Sequence, residues 1–129
     1  MAPVMKKELL LYNLDNEKGK QIQAVCSPLQ IVCRHVQPDE YLQLIGSLAG
    51  MPGFPPKPRI MGPTFNEEMM VLCGFDNDSI YTFLDHYKKA GIAPVWLKAA
   101  LTPNNLQWNS LQMHDELMKE HQQMKGSRS

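Results

Sequence analysis

The stretch EMMVLCGFDN, residues 68–77, decides the fold. Its apolar letters run without a break, which is typical of a strand buried on both faces, and the Asp76-Asn77 pair that follows is typical of a helix cap. The same pattern occurs earlier as ELLLYNLDN, residues 8–16. Each stretch precedes apolar residues spaced i, i+3, i+4 and i+7, at 22–29 and again at 80–87, so each predicts a buried strand followed by an amphipathic helix.

The rest of each half repeats as well. Residues 31–36 and 94–101 alternate and predict second strands, and Gln37-Pro38 and Thr102-Pro103 predict the starts of second helices. The chain is therefore predicted as a single domain, 1–129, with a first βαβα half at 8–49, a connector at 50–66 and a second βαβα half at 67–125. The matching landmarks lie 61 and 65 positions apart, which predicts an internal duplication.

These elements predict an α/β fold with one four-stranded sheet and helices packed on it. The first strand of each half is apolar on both faces and belongs in the centre, whereas the second alternates as an edge strand does. The predicted order is 2-1-3-4, with parallel strands inside each half. The direction of one half relative to the other stays open.

Composition excludes several classes of function. Thirteen basic residues balance thirteen acidic residues in a chain of 129, so no nucleic-acid partner is expected. No catalytic motif, cofactor motif or CxxC pair occurs, and no apolar stretch approaches the ~20 residues of a membrane span. The three cysteines lie in apolar runs, which predicts buried, reduced thiols and a cytoplasmic location.

Metal binding has two candidate positions, and neither is favoured. Asp15 and Asp76 would face each other across a parallel sheet and hold a divalent cation, but helix caps explain both better. His114 and His121 are seven residues apart, about 10 Å along a helix, which is too far for a metal pair. We predict capping residues and boundary histidines, and no metal site.

The most distinctive run extends from Lys98 to Trp108. Lys98 precedes the predicted helix start at Thr102, where free N–H groups attract anions. Together with Asn104 and Asn105, these side chains form a candidate site for a carboxylate or phosphate. The competing interpretation is a capped helix, with Lys98 extended past Trp96 and Trp108 in the core.

The second half, residues 67–121, also resembles a family of uncharacterised bacterial proteins known only as a domain of unknown function. The resemblance rests on Lys-Ala-x-Leu-Thr-Pro-x-Asn-x-x-Trp at 98–108, on Gly74-Phe75 and on Glu116-Leu117 with Glu120-His121. It implies a bacterial, cytoplasmic protein, and it assigns no catalytic residue.

The connector provides the leading functional hypothesis. Residues 50–64 hold five prolines, three glycines and two basic residues, without an acid, which is typical of an extended, exposed segment. We predict a non-enzymatic binding or protein-interaction module, whose partner is another protein or a second copy. The alternative is a small-molecule or anion-binding protein, or an enzyme, that uses residues 98–108.

Overall fold

The computed structural model describes residues 6–126, with the side chains of residues 6–122. It contains four strands, which are β1 (Glu8–Tyr12), β2 (Val32–His35), β3 (Met69–Cys73) and β4 (Leu97–Ala100). It also contains four α-helices, which are α1 (Glu17–Cys26), α2 (Ile45–Leu48), α3 (Asn77–Lys89) and α4 (Ser110–Gly126).

The four strands form one sheet in the order β2-β1-β3-β4, which confirms the predicted order. β1 pairs parallel with β2, and β3 pairs parallel with β4. The two halves join through β1 and β3, which run antiparallel with Leu10 opposite Val71. The continuous apolar runs therefore occupy the centre, where neighbours exclude water from both faces.

Helices cover both faces of the sheet. Because side chains alternate along a strand, Leu9 and Leu11 of β1 pack with α1 and α3, whereas Leu10 and Tyr12 pack with α2 and α4. The side chains of β3 alternate between the same two sets of helices, and every residue of β3 is buried. The core is thus two apolar layers separated by the sheet.

A helix cap after each of β1 and β3 is confirmed, at Asn16 and Asp76, so the predicted capping role of Asp15 is wrong. The Asn16 side chain accepts a hydrogen bond from the N–H of Gly19 at 3.0 Å, and the Asp76 side chain accepts one from the N–H of Ser79 at 2.8 Å. Since β1 and β3 are antiparallel, the two caps lie at opposite ends of the sheet. The alternative of a cation between Asp15 and Asp76 is wrong, and no cluster of three or more metal-ligating side chains occurs among the residues that the structure describes.

The second helix of each half begins later than predicted. After β2 the chain forms a 3₁₀ turn at Pro38–Glu40 and enters α2 only at Ile45. After β4 it forms a 3₁₀ turn at Asn105–Gln107 and enters α4 only at Ser110. The predicted continuous helices from 37 and 102 are therefore wrong.

Contacts between the two halves cause both interruptions. Leu44 is extended and forms an isolated antiparallel bridge with Asn109. The Ile45 N–H donates to the Trp108 carbonyl at 2.8 Å, and the Ser110 N–H donates to the Tyr41 carbonyl at 3.1 Å. Backbone groups that would continue each helix are thus bonded to the opposite half.

Candidate functional site

The connector crosses the α2 side of the molecule as an extended segment without helix or strand. Side chains of the first half fasten it. The Phe54 ring packs directly on Gly46, where an added Cβ would meet it at 2.9 Å. The Lys57 N–H donates to the Gln43 side chain at 3.3 Å, and the Arg59 guanidinium donates to Asp39 at 2.8 Å.

The end of the connector is anchored by Phe65, which is buried although its neighbours Thr64 and Asn66 are exposed. Its ring stacks on Tyr41 with centroids 4.7 Å apart and on His114 of α4 at 4.0 Å. The Asn13 amide donates to the Phe65 carbonyl at 2.9 Å. We call this arrangement the Phe65 anchor.

Glu67 adds a charged contact to the Phe65 anchor. Its carboxylate lies 2.7 Å from Nε2 of His114, which donates to it, and its carbonyl accepts from Asn13 at 2.9 Å. The hydrogen bond from His114 holds the pKa of Glu67 below its ordinary value. The connector is therefore held at both ends by defined contacts.

Between these fastenings the connector exposes apolar side chains. Ile60 is 60% exposed and Met61 is 65% exposed. Gly62 passes so close to Leu42 that an added Cβ would lie 2.9 Å from it, and Leu42 is itself 40% exposed. We define the connector surface as the exposed residues Leu42, Pro55, Pro56, Lys57, Pro58, Ile60 and Met61.

The chemistry of the connector surface is that of binding. It carries apolar area and the Lys57 ammonium, which has no carboxylate partner within salt-bridge distance among the side chains of residues 6–122. Arg59 is already paired with Asp39 and Glu40. The surface offers a partner one free positive charge beside exposed hydrophobic side chains.

The residues of the anion site that the sequence predicts form separate sets of hydrogen bonds in the structure. Lys98 is exposed on β4, and its ammonium donates to the carbonyl of Val95 at 3.2 Å. Thr102 and Asn105 bond each other, because each backbone N–H donates to the side chain of the other at 2.8 and 3.2 Å. The Asn105 amide also donates to the Ala100 carbonyl at 3.0 Å.

The remaining two residues of that site differ in exposure. Asn104 lies exposed in the same turn as Thr102 and Asn105, whereas Trp108 is partly buried and packs against the core layer that contains residues of α2 and α4. The N–H groups of Thr102 and Asn105 are therefore satisfied within the turn, and the helix that motivated the site begins at Ser110 instead. Anion binding by these residues stays a prediction.

The Phe65 anchor was not predicted from the sequence. The sequence offers one signal for this anchor, which is the single aromatic residue between Pro63 and Met69. An isolated Phe in a polar segment indicates a point at which the segment attaches to the core. His114 was expected at the boundary of the core, and its side chain is 13% exposed. Its contacts with Glu67 and Phe65 could not be inferred because those two residues lie 47 and 49 positions away in the chain.

Comparison with known protein families gives a match over part of the chain. Residues 68–124, from β3 into α4, match the family described as Domain of unknown function (DUF3783). This confirms the resemblance of the second half to an uncharacterised family, over less than half of the chain. No curated protein and no solved structure matches the chain.

Within residues 6–126, no helix has the length and apolar character needed to cross a membrane.

Proposed function

We propose that the chain is a non-enzymatic protein-interaction module that presents the connector surface to a protein partner. The observation that carries the proposal is the exposure of Ile60 and Met61 on a segment fastened at Arg59 and at Phe65. A segment held in one extended conformation loses little conformational entropy on binding.

The partner is a protein with a groove lined by aromatic side chains. Proline fixes its own φ and favours the extended conformation that such grooves recognise, and Pro55, Pro56 and Pro58 are all exposed. The free ammonium of Lys57 complements a carboxylate at the end of that groove. Neither a nucleic acid nor a membrane is proposed as the partner.

Site-specific photocrosslinking tests this proposal. A photoreactive phenylalanine replaces Met61 in cells, with a second position at Tyr81 of α3, which is 78% exposed, as the control. The protein captured at position 61 and not at 81 is then purified, and its dissociation constant is measured by calorimetry.

The expected result is selective loss of affinity. Replacing both Ile60 and Met61 by Ser weakens binding at least tenfold, about 1.4 kcal/mol, and Pro55→Ala with Pro56→Ala weakens it in the same direction. Tyr81→Ser leaves it unchanged. Equal affinities for all variants contradict the proposal, and capture of a second copy of this chain assigns the surface to self-association instead.

We also propose that the chain is a single domain that arose by internal duplication, with halves at 8–49 and 67–125 and the connector at 50–66. Separations along the sequence support this duplication. Every residue of β3 lies 61 positions after its counterpart in β1, and every residue of β4 lies 65 positions after its counterpart in β2. Asn13 and Gly74, also 61 apart, both have positive φ, at 58° and 77°. Superposition of the halves in an experimental structure tests the duplication.

The proposed setting is the cytoplasm of a bacterium. The three cysteines, Cys26, Cys33 and Cys73, are free thiols, which supports a reducing compartment. Localisation of a tagged chain in cell fractions tests this setting.

A further inference from the structure

The outer edge of β4 carries backbone groups without a neighbouring strand, since β4 pairs with β3 alone within residues 6–126. The N–H of Leu101, just after β4, donates to the Leu72 carbonyl of β3 at 2.8 Å. Backbone groups of successive residues point to opposite sides of a strand, so those of Lys98 and Ala100 point away from β3. Such an edge can accept a further strand.

Exposed apolar side chains of α3 lie beside this edge. Ser79 and Thr82 line a cavity with Leu29 of the first half, so this flank of α3 faces the first half. Tyr81 and Leu84 lie on the opposite flank, because successive helical residues are about 100° apart, and they are 78% and 37% exposed. Since α3 connects β3 to β4 and packs on the sheet, this flank lies on the β4 side.

We propose that β4 pairs antiparallel with β4 of a second copy of this chain, with the two-fold axis at Ala99. Lys98 then lies opposite Ala100 of the second copy, and each residue donates its N–H to the carbonyl of the other. Ala99 lies opposite its own equivalent, and Leu97 lies opposite Leu101. The two four-stranded sheets join into one, through a contact that is separate from the connector surface.

The charge of Lys98 selects this register. A register with Lys98 on the axis would set two ammonium groups directly opposite each other, which is destabilising. With Ala99 on the axis, each Lys98 lies beside an alanine, and the axis itself passes between two small side chains.

The other edge strand, β2, is less suited to self-pairing. The Val32 N–H donates to the carbonyl of Lys7 beside β1 at 3.0 Å, so the backbone groups of Cys33 and His35 point outwards. Pairing these two residues with a second copy would place Arg34 opposite Arg34, which sets like charges together. Cys33 is half-buried on this edge, so the prediction that all three thiols are buried is wrong for Cys33.

The pairing of β4 also brings the two copies of α3 together. Neighbouring strands are about 4.8 Å apart, so two helices that each cover a β3–β4 pair lie about 10 Å apart across the axis, a distance at which helices pack. Within one chain, α1 and α3 follow neighbouring strands and contact each other in the same way. Tyr81 and Leu84 are then buried between the copies.

The charges along α3 are complementary to those of a second copy. The two-fold axis makes the two copies of α3 antiparallel, and a crossing near Tyr81 and Leu84 brings Asp78 of one copy towards Lys88 of the other. Neither charged group has an ion-pair partner among the side chains of residues 6–122. A second copy therefore offers each of them an opposite charge.

Sedimentation velocity of the full chain over a range of concentrations tests the dimer. The wild type should show a reversible monomer–dimer equilibrium without larger species, because a two-fold contact closes on itself. Replacing both Tyr81 and Leu84 by Ser should weaken the dimer at least about tenfold, whereas replacing Ile60 and Met61 of the connector surface by Ser should not. A monomer at every concentration, growth beyond a dimer, or equal weakening by both pairs of changes overturns the proposal.

Charge reversal tests the crossing of the two α3 helices. Asp78→Lys sets like charges together in both symmetry-related pairs and should weaken the dimer at least about threefold. Adding Lys88→Asp should restore it, and both positions are exposed, so neither change disturbs the core. A dimer that is equally weak in the double variant contradicts the proposed crossing.

Ala99→Cys under mild oxidation tests the register. Opposite residues of a non-hydrogen-bonded pair have Cα atoms about 4.5 Å apart, a separation that a disulfide spans. Peptide mapping should therefore find position 99 joined to position 99 of a second copy, whereas Lys98→Cys should give no bond between equivalent positions. A bond at position 98, or none at position 99, overturns the proposal.

A photoreactive phenylalanine in place of Tyr81 tests for a different occupant in cells. It should capture a second copy of this chain. Capture of another protein at this position, by a chain that stays monomeric, assigns the edge to that protein and overturns the proposal.

Discussion

Leu44 and Asn109 pair with each other in an antiparallel bridge outside the sheet. They lie 65 positions apart, the same separation as β2 and β4. Within the sheet, Leu10 pairs with Val71, and these residues lie 61 apart, as β1 and β3 do. In each pair, equivalent residues of the two halves meet, as residues beside a two-fold axis do. Both the sheet and the loops outside it therefore follow the internal symmetry proposed for the chain.

Replacing Gly19 by Ala should destabilise the protein by at least about 2 kcal/mol, although Ala is intrinsically the better helix former. A Cβ at this position would lie 1.7 Å from the Leu14 carbonyl oxygen, so the turn between β1 and α1 must shift. Urea unfolding measures the change, with the exposed neighbour Lys20→Ala as the control. An unchanged or increased stability of Gly19→Ala contradicts the close contact.

Replacing Phe65 by Ala should free the connector and cost about 3–5 kcal/mol, because the side chain is buried and stacked on two rings. Under conditions where the variant stays folded, trypsin should cut after Arg59 much faster than in the wild type. Limited proteolysis with mass spectrometry detects the cut. Phe75→Ala, on the opposite face of the sheet, is the control, and equal cutting of both variants contradicts the anchor.

Glu67 should make stability depend on pH in acid. Its pKa is lowered in the folded state by the hydrogen bond from His114, so its stabilisation is complete above the unfolded value of 4.5 and is lost as pH falls through the lower folded value. The difference in melting temperature between the wild type and Glu67→Gln should therefore shrink below pH 4.5. A constant difference, or the same trend in the α4 surface variant Glu120→Gln, argues against this role.

Lys98 separates the two functional hypotheses. Its ammonium contacts the Val95 carbonyl alone among the hydrogen bonds found within residues 6–122, so Lys98→Met should change stability by at most about 1 kcal/mol. Phosphate and carboxylate metabolites should leave the wild-type melting temperature unchanged in a thermal-shift assay. A shift of several degrees with one anion, lost in Lys98→Met and in Thr102→Val, would establish the anion-binding alternative.

The amino-acid sequence by itself determined the strands, their order and the caps between strand and helix. These features depend on local patterns: unbroken apolar runs at 9–12 and 69–73, and capping side chains at Asn16 and Asp76. A strand that is apolar on both faces belongs in the centre of a sheet, whichever strands pair with it. The strand order could therefore be predicted without knowledge of distant contacts. The candidate connector was likewise evident from its five prolines.

Only the tertiary structure decided how the halves meet and which side chains then come together. The antiparallel pairing of β1 with β3, the bridge from Leu44 to Asn109 and the stacking of Phe65 on His114 all join residues far apart in the chain. A local pattern carries no information about the direction of a distant strand, because either direction buries the same apolar area.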